Sequence, residues 1–123
     1  MSEVVQVINT RNGKVVCERC RILDGLLERL KGLIGTKSLS SEEGVLITDC
    51  KSIHTMFMGF PIDVAFIDSS GVILRTSEKI SPWRMTGFVL KASMVLELSG
   101  GVLKKTETRT GDQLGGIEQV LNV

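Results

Sequence analysis

Short apolar runs that alternate on a two-residue period, each closed by a turn, limit most strongly what this chain can fold into. The run EVVQVINT is followed by Arg11-Asn12-Gly13 and then by KVVCERC. Asn12-Gly13 supplies the positive φ angles of a tight turn between two valine-rich strands, so the segment reads as a hairpin. VLITDC and SIHTMFM read as two further short strands, and IDVAFID-SSG-VILRT as a second hairpin turning at Gly71. ASMVLELSGG alternates, with Met94, Leu96 and Leu98 inward and Val95 and Glu97 on the other face. A short helix or turn is expected after Gly101, and a closing strand within RTGDQLGGIEQVLNV.

The period changes once. Leu23, Leu26, Leu27, Leu30, Leu33 and Ile34 recur at three- and four-residue steps, which places them on one helix face. Asp24 is suited to cap the start of this helix and Gly35 to end it. Gly32 inside it costs about 1 kcal/mol relative to alanine, which suggests close backbone packing. One helix among many short strands predicts a mainly β (α+β) fold. The expected form is a compact antiparallel β sandwich or barrel with one principal amphipathic helix over about 24–34. At 123 residues the whole chain, 1–123, is expected to be one domain.

Aromatic residues make up 4% of the chain and tyrosine is absent, so valine, isoleucine, leucine and methionine must build the core. Lysine plus arginine total 15 against 14 acidic residues, which lacks the basic excess of a phosphate-backbone binder; no nucleic acid is expected as a partner. No basic segment precedes an apolar one at the N-terminus, and no apolar run approaches the roughly 18 residues of a membrane helix. Three cysteines, an odd number, fit a reducing compartment better than a disulfide framework. The expectation is a cytoplasmic protein without a membrane segment.

Four groups of residues carry possible chemistry. Cys17 and Cys20 form C-x-x-C, and Cys50 with His54 forms C-x-x-x-H, a set of soft ligands that suits tetrahedral zinc. On a regular strand, however, residues three apart face opposite sides, so Cys17 and Cys20 are expected not to share a metal. His54, Met56 and Met58 share one side of a strand, a set that suits Cu(I), although methionines also fill gaps in cores poor in aromatics. Cys50, His54 and Asp63 are the residue types of a thiol–imidazole–carboxylate arrangement. The structural alternative is a histidine bonded to backbone and a carboxylate satisfying turn amides beside Pro61. Finally, Pro82-Trp83-Arg84 offers stacking and bidentate hydrogen bonding to a planar or anionic ligand; alternatively Trp83 plugs one end of the barrel while Arg84 pairs with Asp63 or another carboxylate.

ERLKGLIG, GVLI, CKSIHTMFMGFPIDVAFIDSSGVIL, PWR, VLELSGG and TGDQL occur in that order from about Arg29 to Asp112. The ordered set resembles the small bacterial and archaeal domain-of-unknown-function family numbered 192. The family's pattern falls on Arg29, Gly32, Leu33, Gly35, Met58, Pro61, Ile62, Asp63, Asp68, Gly71, Val95 to Leu98, and Gly101. Cys50, His54, Thr55, Pro82, Trp83 and Arg84 match the branch with C-x-x-x-H-T before the methionine. The chain departs from it at Met56, where an aromatic is frequent, and at Gly59, where a basic residue is usual. Cys17 and Cys20 lie outside the pattern. The resemblance implies a single mainly-β domain and supplies no activity. Arg29, Gly32, Gly35, Met58, Pro61 and Gly71 are its framework positions.

These readings converge on a binding module for a small ligand or a protein partner, at a pocket near His54, Asp63, Trp83 and Arg84. The alternatives are a Cys/His-based enzyme or metal-binding protein using Cys50 and His54, and a structural or assembly domain without a chemical site. The sequence leaves open whether the chain is an enzyme and whether it takes a cofactor.

Overall fold

A computed structural model describes residues 3–24, 38–53 and 59–121. Strands β1 (Val4–Asn9) and β2 (Val15–Leu23) form the expected hairpin. Its turn differs from the expectation, because only Gly13 is left-handed, with φ 74°. The Asn12 side chain instead accepts the Lys14 amide and donates to the Thr106 carbonyl, tying the hairpin tip to a distant segment.

The remaining elements are β3 (Glu43–Thr48), β4 (Ile62–Ile67), β5 (Ile73–Ile80), β6 (Met94–Ser99), α1 (Val102–Lys105) and β7 (Leu114–Gly115). They make one seven-stranded sheet in the order β5-β4-β6-β3-β2-β1-β7. Only β2 and β3 run parallel; every other neighbouring pair is antiparallel. A bridge between Val72 and Gln113 joins the two ends of this order, supported by the Ile73 amide on the Asp112 carbonyl at 2.9 Å. The sheet therefore curls into a half-barrel, and the fold is mainly β as expected. The helix anticipated over about 24–34, with Arg29, Gly32 and Gly35, lies outside the described residues, as do His54 and Met58.

The β4–β5 hairpin turns where Asp68 and Gly71 predict. Asp68 Oδ1 accepts the amides of Ser70 and Val72, and Gly71 takes φ 89°, a conformation that glycine adopts without steric cost. Strand β4 is buried at every position, which explains why IDVAFI reads as a nearly continuous apolar run.

Both faces of the sheet are covered. The inner face gathers Val7, Cys17, Cys20, Leu46, Ala65, Ile67, Met94, Leu96, Leu98, Leu103 and Leu114. The outer face carries Val45, Ile47, Ile62, Val64, Phe66 and Val95, over which Ile53 and Ala92 pack. Burying one such side chain contributes about 1.5–3 kcal/mol, and the absence of tyrosine is met by this aliphatic packing. Glu97 alternates with Val95 and so belongs to the outer face, where it is nonetheless only 3% exposed.

Candidate functional site

Asp63 is the second residue of β4 and is fully buried. Its position alternates with Ala65 and Ile67, which directs it to the inner face. Oδ1 accepts the Lys79 amide at 2.8 Å, and Oδ2 accepts the amides of Gly101 and Leu103 at 3.0 and 2.9 Å. The carboxylate thus caps α1 from a neighbouring strand, satisfying amides that a four-residue helix leaves without internal partners. It also pins the irregularity in β5, where Lys79 is left-handed at φ 49°. With both oxygens held by backbone and withdrawn from solvent, Asp63 is not presented to a ligand. The pairing of Asp63 with Arg84 considered above is replaced by these three amides.

Trp83 and Arg84 lie on the segment between β5 and β6, residues 81–93. This segment is stitched to residues 51–53 by the Thr86 amide on the Ile53 carbonyl, the Ile53 amide on Thr86 Oγ1, and the Val89 amide on the Lys51 carbonyl, each at 2.9 Å. Lys51 Nζ adds bonds to the carbonyls of Leu90 and Ala92 at 2.8 and 2.6 Å. Val89 and Ala92 pack onto the outer face. Trp83, Met85, Phe88 and Leu90 do the opposite, standing 61%, 71%, 70% and 77% exposed. Trp83 holds φ 64°, a conformation unusual for a bulky side chain. Arg84 is exposed as well. Of the predicted set, Trp83 and Arg84 therefore share one exposed ridge, with the chain leading into His54 bonded alongside it. Asp63 belongs to the opposite face of the sheet.

The cysteines divide in the same way. Cys50 is half-buried against the outer cluster, and its thiol donates to the Ser52 carbonyl at 3.0 Å. Cys17 and Cys20 are both buried in the inner cluster. The sheet separates the two groups, so Cys17, Cys20 and Cys50 do not enclose one ion. Among the described residues no three histidine, cysteine or acidic side chains are grouped to hold a metal. The expectation that Cys17 and Cys20 face opposite sides is overturned by an irregular register. Val5 pairs with Cys20 and Val7 with Cys17, so two steps of β1 match three of β2. Such a bulge turns Glu18 and Arg19 outward and returns both cysteines to the inner side.

Two ionisable features escaped the sequence reading. Glu97 Oε2 has no hydrogen-bond partner among the described residues, and burial raises its carboxyl to about 7. Asp112 is held down at about 2, first by hydrogen bonding from Arg11 and then by Asn9 and the Arg109 amide. Arg11 grips it from two nitrogens, at 2.7 and 3.2 Å. Met85, Phe88 and Leu90 were also missed; the available signal was apolar residues inside a stretch without strand period, MTGFVLK. One cleft beside α1 is lined by Arg11, Glu78, Lys79, Lys104, Glu107 and Arg109 and contains none of the predicted ligand residues.

A curled mainly-β sheet with an exposed apolar ridge on a tethered crossover defines a small β domain whose exposed large apolar residues, among the described ones, lie mostly on that crossover. The chain belongs to the DUF192 family, described as uncharacterized ACR, which it matches over residues 7–116. It is similar to the UPF0127 protein of Thermococcus sibiricus, 32% identical over 114 residues, covering 88% of this chain and 72% of that protein. A UPF0127 protein of Pyrococcus furiosus is 26% identical over 111 residues, covering 88% and 95%. Two crystal structures share the fold. One, from Sinorhizobium meliloti 1021, is named as a candidate transcription regulator and aligns with TM-score 0.82 at 22% identity over 96% of this chain and 95% of its own. The other, a protein of unknown function from Novosphingobium aromaticivorans, aligns with TM-score 0.78 at 21% identity over 92% and 84%. No helix among the described residues is long and apolar enough to cross a membrane.

Proposed function

We propose that this domain is a binding module that engages a protein partner through residues 83–90, with Trp83 and Phe88 as anchors and Arg84 as the polar contact beside them. The observation that carries this reading is the partition of one crossover: Val89 and Ala92 bury themselves on the sheet, while Trp83, Met85, Phe88 and Leu90 face solvent. Exposed apolar groups gathered on one segment are characteristic of interaction surfaces, and tryptophan and arginine are enriched among residues that dominate binding energy. The bonds from Lys51, Ile53 and Thr86 hold the ridge before a partner arrives, which lowers the ordering cost of association.

Trp83 is the only tryptophan, so its emission reports this surface alone. Peptides selected from a displayed library on the immobilised domain should shift Trp83 emission to the blue. They should lose at least about tenfold in affinity on Trp83→Ala or Phe88→Ala, substitutions at exposed positions that leave folding intact. Selected peptides that bind both variants as tightly as the parent contradict the assignment.

A further inference from the structure

Cys17 and Cys20 are brought together by two local devices. The first is the bulge in β2, which compresses three residues into the length of two strand steps, about 7 Å, near the upper limit of Cα separation for a disulfide. The second is Gly44, the residue of β3 that pairs with Cys20. A Cβ on Gly44 would lie 3.0 Å from Cys17 Sγ, so the Cys17 thiol occupies the space that a side chain beside Cys20 would otherwise fill. Both sulfurs sit in the same apolar cluster, and Cys50 lies on the other side of the sheet. We propose that Cys17 and Cys20 form a redox site whose thiols close to an intrachain disulfide on reaction with hydrogen peroxide, and reopen with a dithiol reductant.

The roles follow from the surroundings. Hydrogen bonding from Cys20 eases deprotonation of Cys17, whereas that contact and burial keep the proton on Cys20. Cys17 Sγ attacks one peroxide oxygen; the O–O bond breaks, the Cys17 proton leaves with the departing oxygen as water, and Cys17 becomes a sulfenic acid. Cys20 Sγ then attacks the Cys17 sulfur, the S–O bond breaks, and the Cys20 proton leaves with that oxygen as a second water. The two thiols surrender two electrons to the peroxide, and the products are one disulfide and two waters. Access runs through β1. Its ladder to β7 involves only Ile8 and Asn9, so the half paired with Cys17 and Cys20 is laddered on one side alone, and its local opening admits the peroxide.

The full chain is treated under native conditions with hydrogen peroxide, then denatured, alkylated and digested. The expected result is a fall from three free thiols to one, a mass loss of about 2 Da, and a cross-link between the tryptic peptides 15–19 and 20–21, all reversed by dithiothreitol. Cys50→Ser should keep the cross-link. The peptide map is read on the unaltered chain, so the outcome does not depend on a buried Cys17 or Cys20 variant folding. Consumption of Cys50 while Cys17 and Cys20 stay reduced, sulfinic acid at Cys17 without the cross-link, or a bond between two chains overturns the proposal.

Discussion

Asp63 Oδ1 accepts the backbone amide of Lys79 at 2.8 Å and thereby holds a lysine in the left-handed region at φ 49°. The same carboxylate receives the first turn of α1, so one buried side chain positions the end of β5 and the segment after β6. Asp63→Ala removes the charged acceptor of three amides and should destabilise the fold by about 3–5 kcal/mol in chemical denaturation. Lys79→Gly should be unusually mild for a strand glycine, costing under about 0.5 kcal/mol, because the strain at Lys79 is released.

Glu97 makes stability fall as pH rises. Its folded value of about 7 exceeds the ordinary 4.5, so between those values the native state binds more protons than the unfolded state. The stabilisation is complete below about pH 4.5 and is lost as pH climbs through about 7, by up to about 3 kcal/mol. Urea midpoints near about pH 5 and about pH 8 measure the slope, and Glu97→Gln should flatten it.

Asp112 acts in the opposite direction at the acid end. Arg11 and Asn9 hold it at about 2 against an ordinary 3.8. Its contribution is therefore present above about 3.8 and is lost as pH falls through about 2. Arg11→Gln should raise the acid-unfolding midpoint, by about one pH unit, as followed by circular dichroism.

Gly44→Ala places a methyl group 2.8 Å from the Glu97 carbonyl oxygen, which cannot withdraw without disturbing β6, and 3.0 Å from Cys17 Sγ and Leu98 Cδ2. A loss of about 2–3 kcal/mol is expected in thermal or urea unfolding.

Much of the fold was legible because alternation and turn chemistry agreed. The β4–β5 hairpin followed from Asp68 and Gly71, and β6 from the spacing of Met94, Leu96 and Leu98. The site was less legible, for physical reasons. Period-two reasoning assumes an unbroken ladder, and the bulge opposite Val5 and Val7 broke it, returning Cys20 to the side of Cys17. Alternation placed Glu97 on the second face of its strand correctly, but did not reveal that this face is covered too. Asp63 was legible as a carboxylate beside a turn; that its amides come from Lys79, Gly101 and Leu103 depends on contacts far apart in sequence. Trp83 and Arg84 stood out by residue type, whereas Phe88 and Leu90 look like ordinary core residues until the crossover is placed on the sheet.

The most direct measurement of the binding assignment is photo-crosslinking in living cells, with a benzophenone amino acid at Phe88 and, separately, at Lys104 on α1. A discrete cross-linked protein species at Phe88 that is absent at Lys104, and that disappears on adding Trp83→Ala, is the predicted result. No cross-link at Phe88, or the same species from both positions, contradicts it.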